Sequence, residues 1–454
     1  MSTNINRYES EKTKNELISS LHYIFPIEDV SELRKDESIE ELQLTKDKRE
    51  GGQYLFWSDN KEGIVFLLYD NDKPRNIYRG GLIKLINKAQ NLDLLFGNYF
   101  CKVFNDDIKL LPSQLTHAEI WISLRQTQFR RAIAKFSAFS TEPMVKWLGI
   151  VENSISLKYE KTPFSFCLFM TKQKEWIKTP LSNNFISFPK SLSFYKGIMK
   201  EKWLRGSMSG QTVGLAGYGH AGELFGIYSI PTGTSDDIDT LLSPHEDIIP
   251  ITNLLVEGTC MILTTEHGDI YFILPNRATF YKTQGQWHYL NYTNIFIVLS
   301  KLFQEVVAKS VLRLSLNLSY ERHGALIFIP DDKNFLEEII PDHKQKKRVN
   351  LTLRETIKNL NICDKTQRKI IMSSAKIDGA LVISSDGEVL DISCMIGQPT
   401  QEKLNALELT KLERFSGSRS TAAWNSSLFG TSIKVSEDGP VTIFRHGKII
   451  AHVG

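Results

Sequence analysis

The spacing of apolar residues changes along this chain, and the change limits the folds open to it. Near the beginning, residues 12–25 and 115–139 have the periodicity of amphipathic helices, and residues 63–69 form an apolar run typical of a buried strand. The middle of the chain contains short extended runs separated by turn residues, which favours a β-rich domain. Helical spacing returns at Ile295. We therefore expect three regions: an α/β region over 1–150, a β-rich domain over 151–294 and a third domain over 295–454.

The third region alternates predicted helices and strands. The predicted helices cover residues 295–311, 365–376 and 401–412, and a further helical stretch follows residue 417. The predicted strands cover residues 324–329, 381–384, 389–393, 432–436, 441–444 and 449–453. Asp-Gly turns at 386–387 and 438–439 join neighbouring strands as hairpins. Strands that are separated by helices and end in hairpins predict an α/β fold around a mixed sheet.

Composition excludes several classes of function. The chain is 41% hydrophobic and 24% charged, with a net charge of +3, which is too small to indicate nucleic acid or an anionic membrane as a partner. A basic run at 343–348 lies between predicted elements and is interpreted as a solvated loop. The N-terminus is polar, and no apolar run approaches the ~20 residues of a membrane span. The five cysteines are scattered without a CxxC pair. A cytoplasmic protein with reduced thiols is expected.

One glycine pattern, at residues 217–222, matches the G-x-G-x-x-G sequence of dinucleotide-binding proteins. That site requires a strand before the glycines and a helix after them. The residues that follow predict a strand and a turn instead, so we interpret the pattern as a glycine-rich loop.

Asp378, Gly379 and Ala380 precede a predicted strand in the third region. Their functional interpretation is a carboxylate at a strand end, beside a glycine that permits close approach by a nucleotide. An Asp-Gly pair is also a common turn, which is the alternative interpretation.

A second set of candidate residues opens the helical stretch after residue 417, and these residues are suited to phosphate. Ser418 is expected to cap the helix, leaving backbone N–H groups to bind an anion at its positive end. A fixed cation and two hydroxyl groups add further donors. A capped surface helix without a ligand is the alternative. The candidate residues are Gly417, Ser418, Arg419, Ser420 and Thr421.

Glu437 precedes the Asp-Gly turn at 438–439. If the strand ends meet in the fold, its carboxylate and that of Asp378 can share a hard divalent cation.

The order of these three motifs resembles that of the diadenylate cyclase family. The matching segments are IDGALVIS at 377–384, GSRSTAA at 417–423 and VSEDG at 435–439, and GALIFI at 324–329 is similar to the first core strand of that family. The resemblance covers about a third of the chain, and the residues upstream of 295 share no such motif. Where the family has Arg-His-Arg, this chain has Arg419, Ser420 and Thr421, so one of the two arginines is absent. Lys434, Arg414 and Arg445 are candidates to replace its charge.

The resemblance implies a function and a set of partners. Family members condense two ATP molecules into cyclic di-AMP and release pyrophosphate, with two subunits facing each other. Asp378 would assist the attacking hydroxyl, Asp378 and Glu437 would bind Mg²⁺ or Mn²⁺, and the residues at 417–421 would hold the phosphates. A homodimer, ATP as substrate and regulation by the upstream regions are therefore expected. The alternative is a catalytically impaired sensor that binds a nucleotide, or a module that serves only for dimerisation.

Overall fold

The structure is a computed structural model, and it describes residues 7–32, 55–57, 63–69, 77–110, 117–173, 184–208, 212–219, 222–230, 243–275, 278–341 and 351–453. The chain divides into two compact units. The first unit contains residues 1–233 and 250–290, and the second contains residues 234–249 and 291–454. The basic run at 343–348 lies outside the described residues.

The first unit combines helices with two large sheets. Its helices are α1 (Arg7–Leu21), α2 (Asn91–Leu110), α3 (His117–Phe136), α4 (Thr141–Ser154), α5 (Phe194–Lys200), α6 (Lys202–Ser207) and α7 (Ile249–Thr252), of which α7 begins at the unit boundary. A four-stranded sheet has the order β1-β4-β3-β2, with β1 (Ile27–Glu32), β2 (Leu55–Trp57), β3 (Gly63–Tyr69) and β4 (Ile77–Leu85). The strand predicted at 63–69 is confirmed as β3.

An eight-stranded sheet occupies the part of the first unit that was expected to be β-rich. Its strands are β7 (Cys167–Thr171), β8 (Phe185–Ser193), β9 (Val213–Tyr218), β10 (Glu223–Ser229), β11 (Thr259–Thr264), β12 (Ile270–Ile273), β13 (Thr279–Thr283) and β14 (Gln286–Leu290), and a two-stranded sheet pairs β5 (Lys158–Tyr159) with β6 (Thr162–Pro163). One hydrophobic cluster includes Phe96 of α2, Trp147 of α4 and Phe280 of β13. Residues 1–150 and 151–290 therefore share a core.

The glycine pattern at 217–222 connects two strands. β9 and β10 pair as antiparallel neighbours, so a strand follows the glycines where a dinucleotide site requires a helix. Gly217 lies within β9, where an added Cβ would meet the Trp147 ring at 2.9 Å. The strand that the sequence predicted after the glycines is confirmed as β10, whereas Gly217 belongs to a strand and not to a loop.

The second unit is an α/β fold around a mixed six-stranded sheet. The strand order is β17-β16-β15-β18-β19-β20, with β15 (Ala325–Pro330), β16 (Ala380–Ile383), β17 (Val389–Cys394), β18 (Gly430–Val435), β19 (Val441–Arg445) and β20 (Lys448–Val453). β15 and β16 are parallel, and the other neighbours are antiparallel. The predicted α/β fold and mixed sheet are confirmed. The boundaries of each predicted strand differ from those of the observed strand by at most two residues.

The helices of the second unit pack on this sheet. They are α8 (Tyr292–Leu302), α9 (Glu305–Tyr320), α10 (Leu336–Ile339), α11 (Leu351–Ile357), α12 (Lys365–Ala375), α13 (Gln401–Ala406) and α14 (Ser418–Ser427). The single helix predicted over 295–311 is wrong, because Phe303 adopts an extended conformation and separates α8 from α9. The helix predicted over 401–412 ends earlier, at Ala406, and Glu408 has a positive φ of 57°.

Candidate functional site

The register of the sheet brings three distant chain segments to one edge. Ala325 at the beginning of β15 pairs with Val435 at the end of β18, and Leu326 pairs with Ala380 at the beginning of β16. The residues just before β15, just before β16 and just after β18 therefore lie side by side. We call this the β15–β16–β18 edge; it carries Gly324, Asp378 and Glu437.

Asp378 and Gly379 form the entrance to β16. Gly379 has φ of 102°, and an added Cβ would lie 2.5 Å from the carbonyl carbon of Ser393 on the neighbouring strand β17. The Ser393 hydroxyl donates a hydrogen bond of 2.8 Å to the backbone oxygen of Asp378. Ala380 is fully buried. The backbone of this turn is thus fixed against β17 while the Asp378 side chain remains 97% exposed.

The phosphate-binding candidates lie at the beginning of α14. Gly417 is the N-cap residue in an extended conformation, and Ser418 is the first helical residue, so the prediction that Ser418 caps the helix is wrong. No side chain makes a hydrogen bond to the N-terminus from the cap position, since glycine has none. The first turn of a helix carries backbone N–H groups and a partial positive charge, which suit an anion.

Ser420 and Thr421 are used within the fold. Ser420 is buried. The Thr421 hydroxyl accepts a 3.2 Å hydrogen bond from the backbone nitrogen of Phe415 and lies 3.3 Å from the backbone oxygen of Gly417 as a donor. The Thr421 hydroxyl therefore secures the loop before α14, and burial of Ser420 means that the two hydroxyls are not presented to solvent as a phosphate-binding pair.

Arg419 connects the three motifs. Its Nη1 donates a 2.6 Å hydrogen bond to Oε1 of Glu437, and its Nη2 lies 3.9 Å from Oδ1 of Asp378. Arg419 is half-exposed and Glu437 is exposed. The structure thus brings Asp378, Arg419 and Glu437 together, as the motif order required.

The charges at this edge affect one another. The Arg419 guanidinium lowers the pKa of Glu437, first through the hydrogen bond and then through its charge, and His323 adds a smaller contribution in the same direction. Burial lowers the pKa of Lys434 on β18, and the charge of Arg419 lowers it further, against an opposing effect of Asp438. Arg419 and Lys434 therefore lie within electrostatic range of each other, and the carboxylates of Glu437 and Asp438 offset their mutual repulsion.

The other cations proposed to replace the missing arginine differ in position. Arg445 pairs with Thr431 in the β18–β19 register, at the opposite end of β18 from Glu437. It donates a 2.6 Å hydrogen bond to the Thr431 hydroxyl and forms an ion pair with Asp331. Arg445 is therefore not part of the β15–β16–β18 edge. Arg414 is exposed in the loop before α14.

Gly324 is a site residue that sequence reasoning missed. An added Cβ would lie 2.9 Å from both Cζ of Arg419 and Cγ of Glu437. The absence of a side chain at this position therefore makes room for the ion pair. The signal in the sequence was a glycine directly before a buried strand, and glycine at such a position more often marks a bend or a bulge of the backbone than a binding site.

The carboxylates partly fit a divalent cation. Among the described residues, no group of three or more His, Cys, Asp or Glu side chains could hold a metal ion by itself. Asp378 and Glu437 approach Nη2 and Nη1 of the same guanidinium, so both carboxylates lie at this edge of the sheet. Mg²⁺ commonly binds to one or two carboxylates and completes its coordination with water and substrate phosphates. The pair therefore fits a metal ion that arrives with a nucleotide.

Comparisons with known proteins give partial likenesses only. No family model matches the chain, and no curated protein matches it. A hypothetical membrane-spanning protein from Bacillus cereus is 18% identical, over 35% of this chain and 67% of that one, with a TM-score of 0.25. A double mutant of DacA from Staphylococcus aureus is also 18% identical, over 32% of this chain and 85% of that one, with a TM-score of 0.22. No conclusion rests on either likeness. In the described part of the chain, no helix is both long and apolar enough to cross a membrane.

Proposed function

We propose that this protein is a diadenylate cyclase, which condenses two ATP molecules into cyclic di-AMP and releases pyrophosphate. The observation that carries the proposal is the convergence of Asp378, Arg419 and Glu437, from three motifs up to 59 residues apart, on one edge of a mixed sheet. The motif resemblance of residues 377–384, 417–423 and 435–439 to that family supports it.

In this proposal, Arg419 and the first turn of α14 hold the phosphates. Exposed ion pairs contribute only about 0–1 kcal/mol, so Arg419 can exchange its carboxylate partners for a phosphate at small cost. A guanidinium can bind a phosphate through two parallel hydrogen bonds, which fixes orientation as well as charge. Lys434 adds a second positive charge at the same edge.

Asp378 accepts the proton of the attacking 3′-hydroxyl. The oxygen of that hydroxyl forms a bond to the α-phosphorus of the second ATP, and the bond from that phosphorus to the bridging oxygen of the pyrophosphate breaks. A second such step closes the ring, so two ATP molecules give one cyclic product and two pyrophosphates. Each subunit holds one ATP, and the working unit is therefore at least a homodimer. Positioning and charge neutralisation supply most of the rate in phosphoryl transfer.

Asp378 and Glu437 are the residues that would hold Mg²⁺ or Mn²⁺. Such an ion, when bound, neutralises phosphate charge and makes the hydroxyl more acidic. The first unit has the role of a sensor or regulator in this proposal, and the protein works in the cytoplasm.

A second candidate function is nucleotide sensing without synthesis. It is favoured by one observation: Ser420 is buried and Thr421 is bonded to the loop backbone, so neither replaces the guanidinium and imidazole found in the family. A site with one arginine in this motif can bind ATP and still fail to orient it for reaction.

Incubation of the purified protein with ATP and Mn²⁺, followed by mass spectrometry, tests the proposal. Cyclic di-AMP and pyrophosphate are expected from the wild-type protein. ATP binding in calorimetry without any product would support nucleotide sensing. A protein that neither binds ATP nor forms product would contradict both candidate functions.

A further inference from the structure

The end of α9 touches the supports of all three site residues. We call residues 319–324 the α9 exit. The Ser319 hydroxyl donates a 2.5 Å hydrogen bond to the backbone oxygen of Gly439, two residues after Glu437. Glu321 forms an ion pair with Lys376, two residues before Asp378. Gly324 leaves the space that Arg419 occupies. A shift of the α9 exit would therefore reach Asp378, Arg419 and Glu437 together.

A short segment at 243–249 packs on this same end of α9. The buried His245 ring lies against the Tyr320 ring, with centroids 4.7 Å apart, and its Nε2 is 3.7 Å from Oε1 of Glu321. The backbone nitrogen of Glu246 donates a 3.2 Å hydrogen bond to Oδ1 of Asn317. One turn earlier, the buried Arg313 donates a 2.9 Å hydrogen bond to the backbone oxygen of Ser243. Four residues of α9 or its exit thus hold this segment in place.

The charges on the α9 exit favour a fixed arrangement. His245 first, and then Lys376, hold the pKa of Glu321 down to about 2. Glu321 is therefore ionised at neutral pH and attracts the Lys376 ammonium, while the His245 ring packs beside it with its Nε2 at 3.7 Å, beyond hydrogen-bond distance. Glu321 is only 27% exposed, as is Lys376, so solvent screens this pair less than the pairs at the surface.

The position of this segment in the sequence is unusual. Residues 234–249 belong to the second unit, whereas the residues on both sides of them, up to 233 and from 250 to 290, belong to the first unit. The chain thus leaves the first unit, contributes residues to the second and returns.

We infer that His245, Glu321 and Lys376 are positioning residues for Asp378, and that the segment at 243–249 fixes the α9 exit on which the turn before β16 depends. The inference deepens the proposed function and rests on it. In the ordered state, the segment holds Glu321 against Lys376 and thereby fixes the turn that presents Asp378. Release of the segment loosens that turn and lowers the rate.

Three variants of the full-length protein test this inference. Glu321→Gln keeps the shape of the side chain and removes its charge, and His245→Phe keeps a ring against Tyr320 while removing the imidazole nitrogens. Glu305→Gln is the matched control, since it removes a 2.5 Å ion pair with Lys309 at the other end of the same helix. Amide hydrogen exchange over 376–380 is the direct readout. Thermal melts establish that each variant is folded.

Faster exchange over 376–380 is expected in Glu321→Gln and His245→Phe, with the control equal to the wild type. In a synthesis assay, kcat should fall about 10- to 100-fold, because small misplacements of a catalytic group have effects of this size, while KM for ATP changes little. The double variant Glu321→Lys with Lys376→Glu exchanges the two charges and restores the ion pair. It should therefore recover most of the protection from exchange over 376–380 and most of the kcat.

Exchange that is unchanged in both variants would overturn the inference, and so would an equal effect in the control. A wild-type protein that makes no cyclic di-AMP would refute the proposed function instead. In that case the exchange comparison still decides whether the segment positions the turn.

Discussion

At the scale of single residues, the candidate site depends on which side chains are absent as much as on which are present. Gly324 provides room for the Arg419–Glu437 pair, and Gly379 allows the turn before β16 to lie against β17. Asp378, in contrast, makes few demands on the fold, because its side chain is 97% exposed. Because Asp378 contributes little to the packing and lies beside Arg419, we regard its carboxylate as a candidate for a functional role.

Asp378→Asn is therefore expected to remove activity without removing stability. Loss of a general base lowers rates by about 10²–10⁴-fold. The change in unfolding free energy should stay within about 0.5 kcal/mol, as for most exposed positions. The measurements are product formation by mass spectrometry and denaturant unfolding. Asp386→Asn, at another exposed Asp-Gly turn of the same unit, is the control and should retain wild-type turnover. Normal synthesis by a folded Asp378→Asn protein would refute the assignment.

Gly324→Ala is expected to weaken ATP binding by displacing Arg419. The added Cβ would meet Cζ of Arg419 and Cγ of Glu437 at 2.9 Å, and both side chains can move away toward solvent. A lost hydrogen bond between charged groups is worth about 1.5–3 kcal/mol, so the Kd should rise at least tenfold. ATP binding is measured by calorimetry for Gly324→Ala, for Arg419→Gln and for the double variant. Arg419→Gln is the control, because it removes the guanidinium that Gly324→Ala is expected to displace. The double variant should bind no more weakly than Arg419→Gln alone, and additive losses would contradict the mechanism.

The pair at Glu321 predicts a dependence of stability on pH. The pKa of Glu321 falls from its ordinary value of 4.5 to about 2 in the folded protein. Its stabilising contribution is therefore complete above about pH 4.5 and disappears as the pH falls toward 2. The wild type should be more stable than Glu321→Gln at pH 6, and the difference should shrink below pH 4.5. Urea unfolding of both proteins from pH 6 to pH 3 measures it, and a difference that grows on acidification would contradict the assignment of this pKa.

At the scale of elements, local strain and packing decide where strands and helices stop. α8 ends at Phe303: its backbone nitrogen still donates the last helical bond, to the Leu299 oxygen, but its extended φ and ψ break the helix before α9. The apolar spacing continues across this break, which is why the sequence predicted one helix. β16 begins after a glycine whose φ of 102° other residues rarely adopt.

Gly379→Ala should destabilise the second unit more than Gly387→Ala. Both glycines have positive φ, so both variants carry a similar backbone penalty of about 1 kcal/mol. The Cβ at residue 379 would meet the backbone of Ser393 and Cys394 at 2.5–2.7 Å, whereas the Cβ at 387 would meet side-chain atoms at 3.0 Å or more. Side chains can rotate away, and a paired strand backbone cannot. The measurement is the denaturant midpoint of each variant. Equal midpoints would contradict the prediction and show that the backbone of β17 moves to accommodate the added Cβ.

At the scale of the whole molecule, the proposed reaction requires two copies of the second unit. Specific activity of the full-length protein should therefore fall on dilution, as dimers dissociate, and should track the dimer fraction from light scattering. A demonstrated monomer with concentration-independent activity would contradict the shared-site mechanism.

The sequence by itself determined the class of the fold and the strands of the second unit, and it supplied the candidate site residues. The α/β fold and the strands of the second unit follow from periodicity and turn chemistry, which are local properties of the chain. Asp378, Arg419 and Glu437 are candidates because the order of their motifs resembles that of a known family. Periodicity cannot reveal that residues 1–150 and 151–290 share one hydrophobic core, because sharing depends on contacts between distant residues. Only the tertiary structure decided that β15, β16 and β18 are neighbours, that Ser420 is buried and Thr421 bonds to the loop before α14, and that residues 243–249 pack on the end of α9. Register and burial are set by long-range packing, and no local pattern in the sequence encodes them.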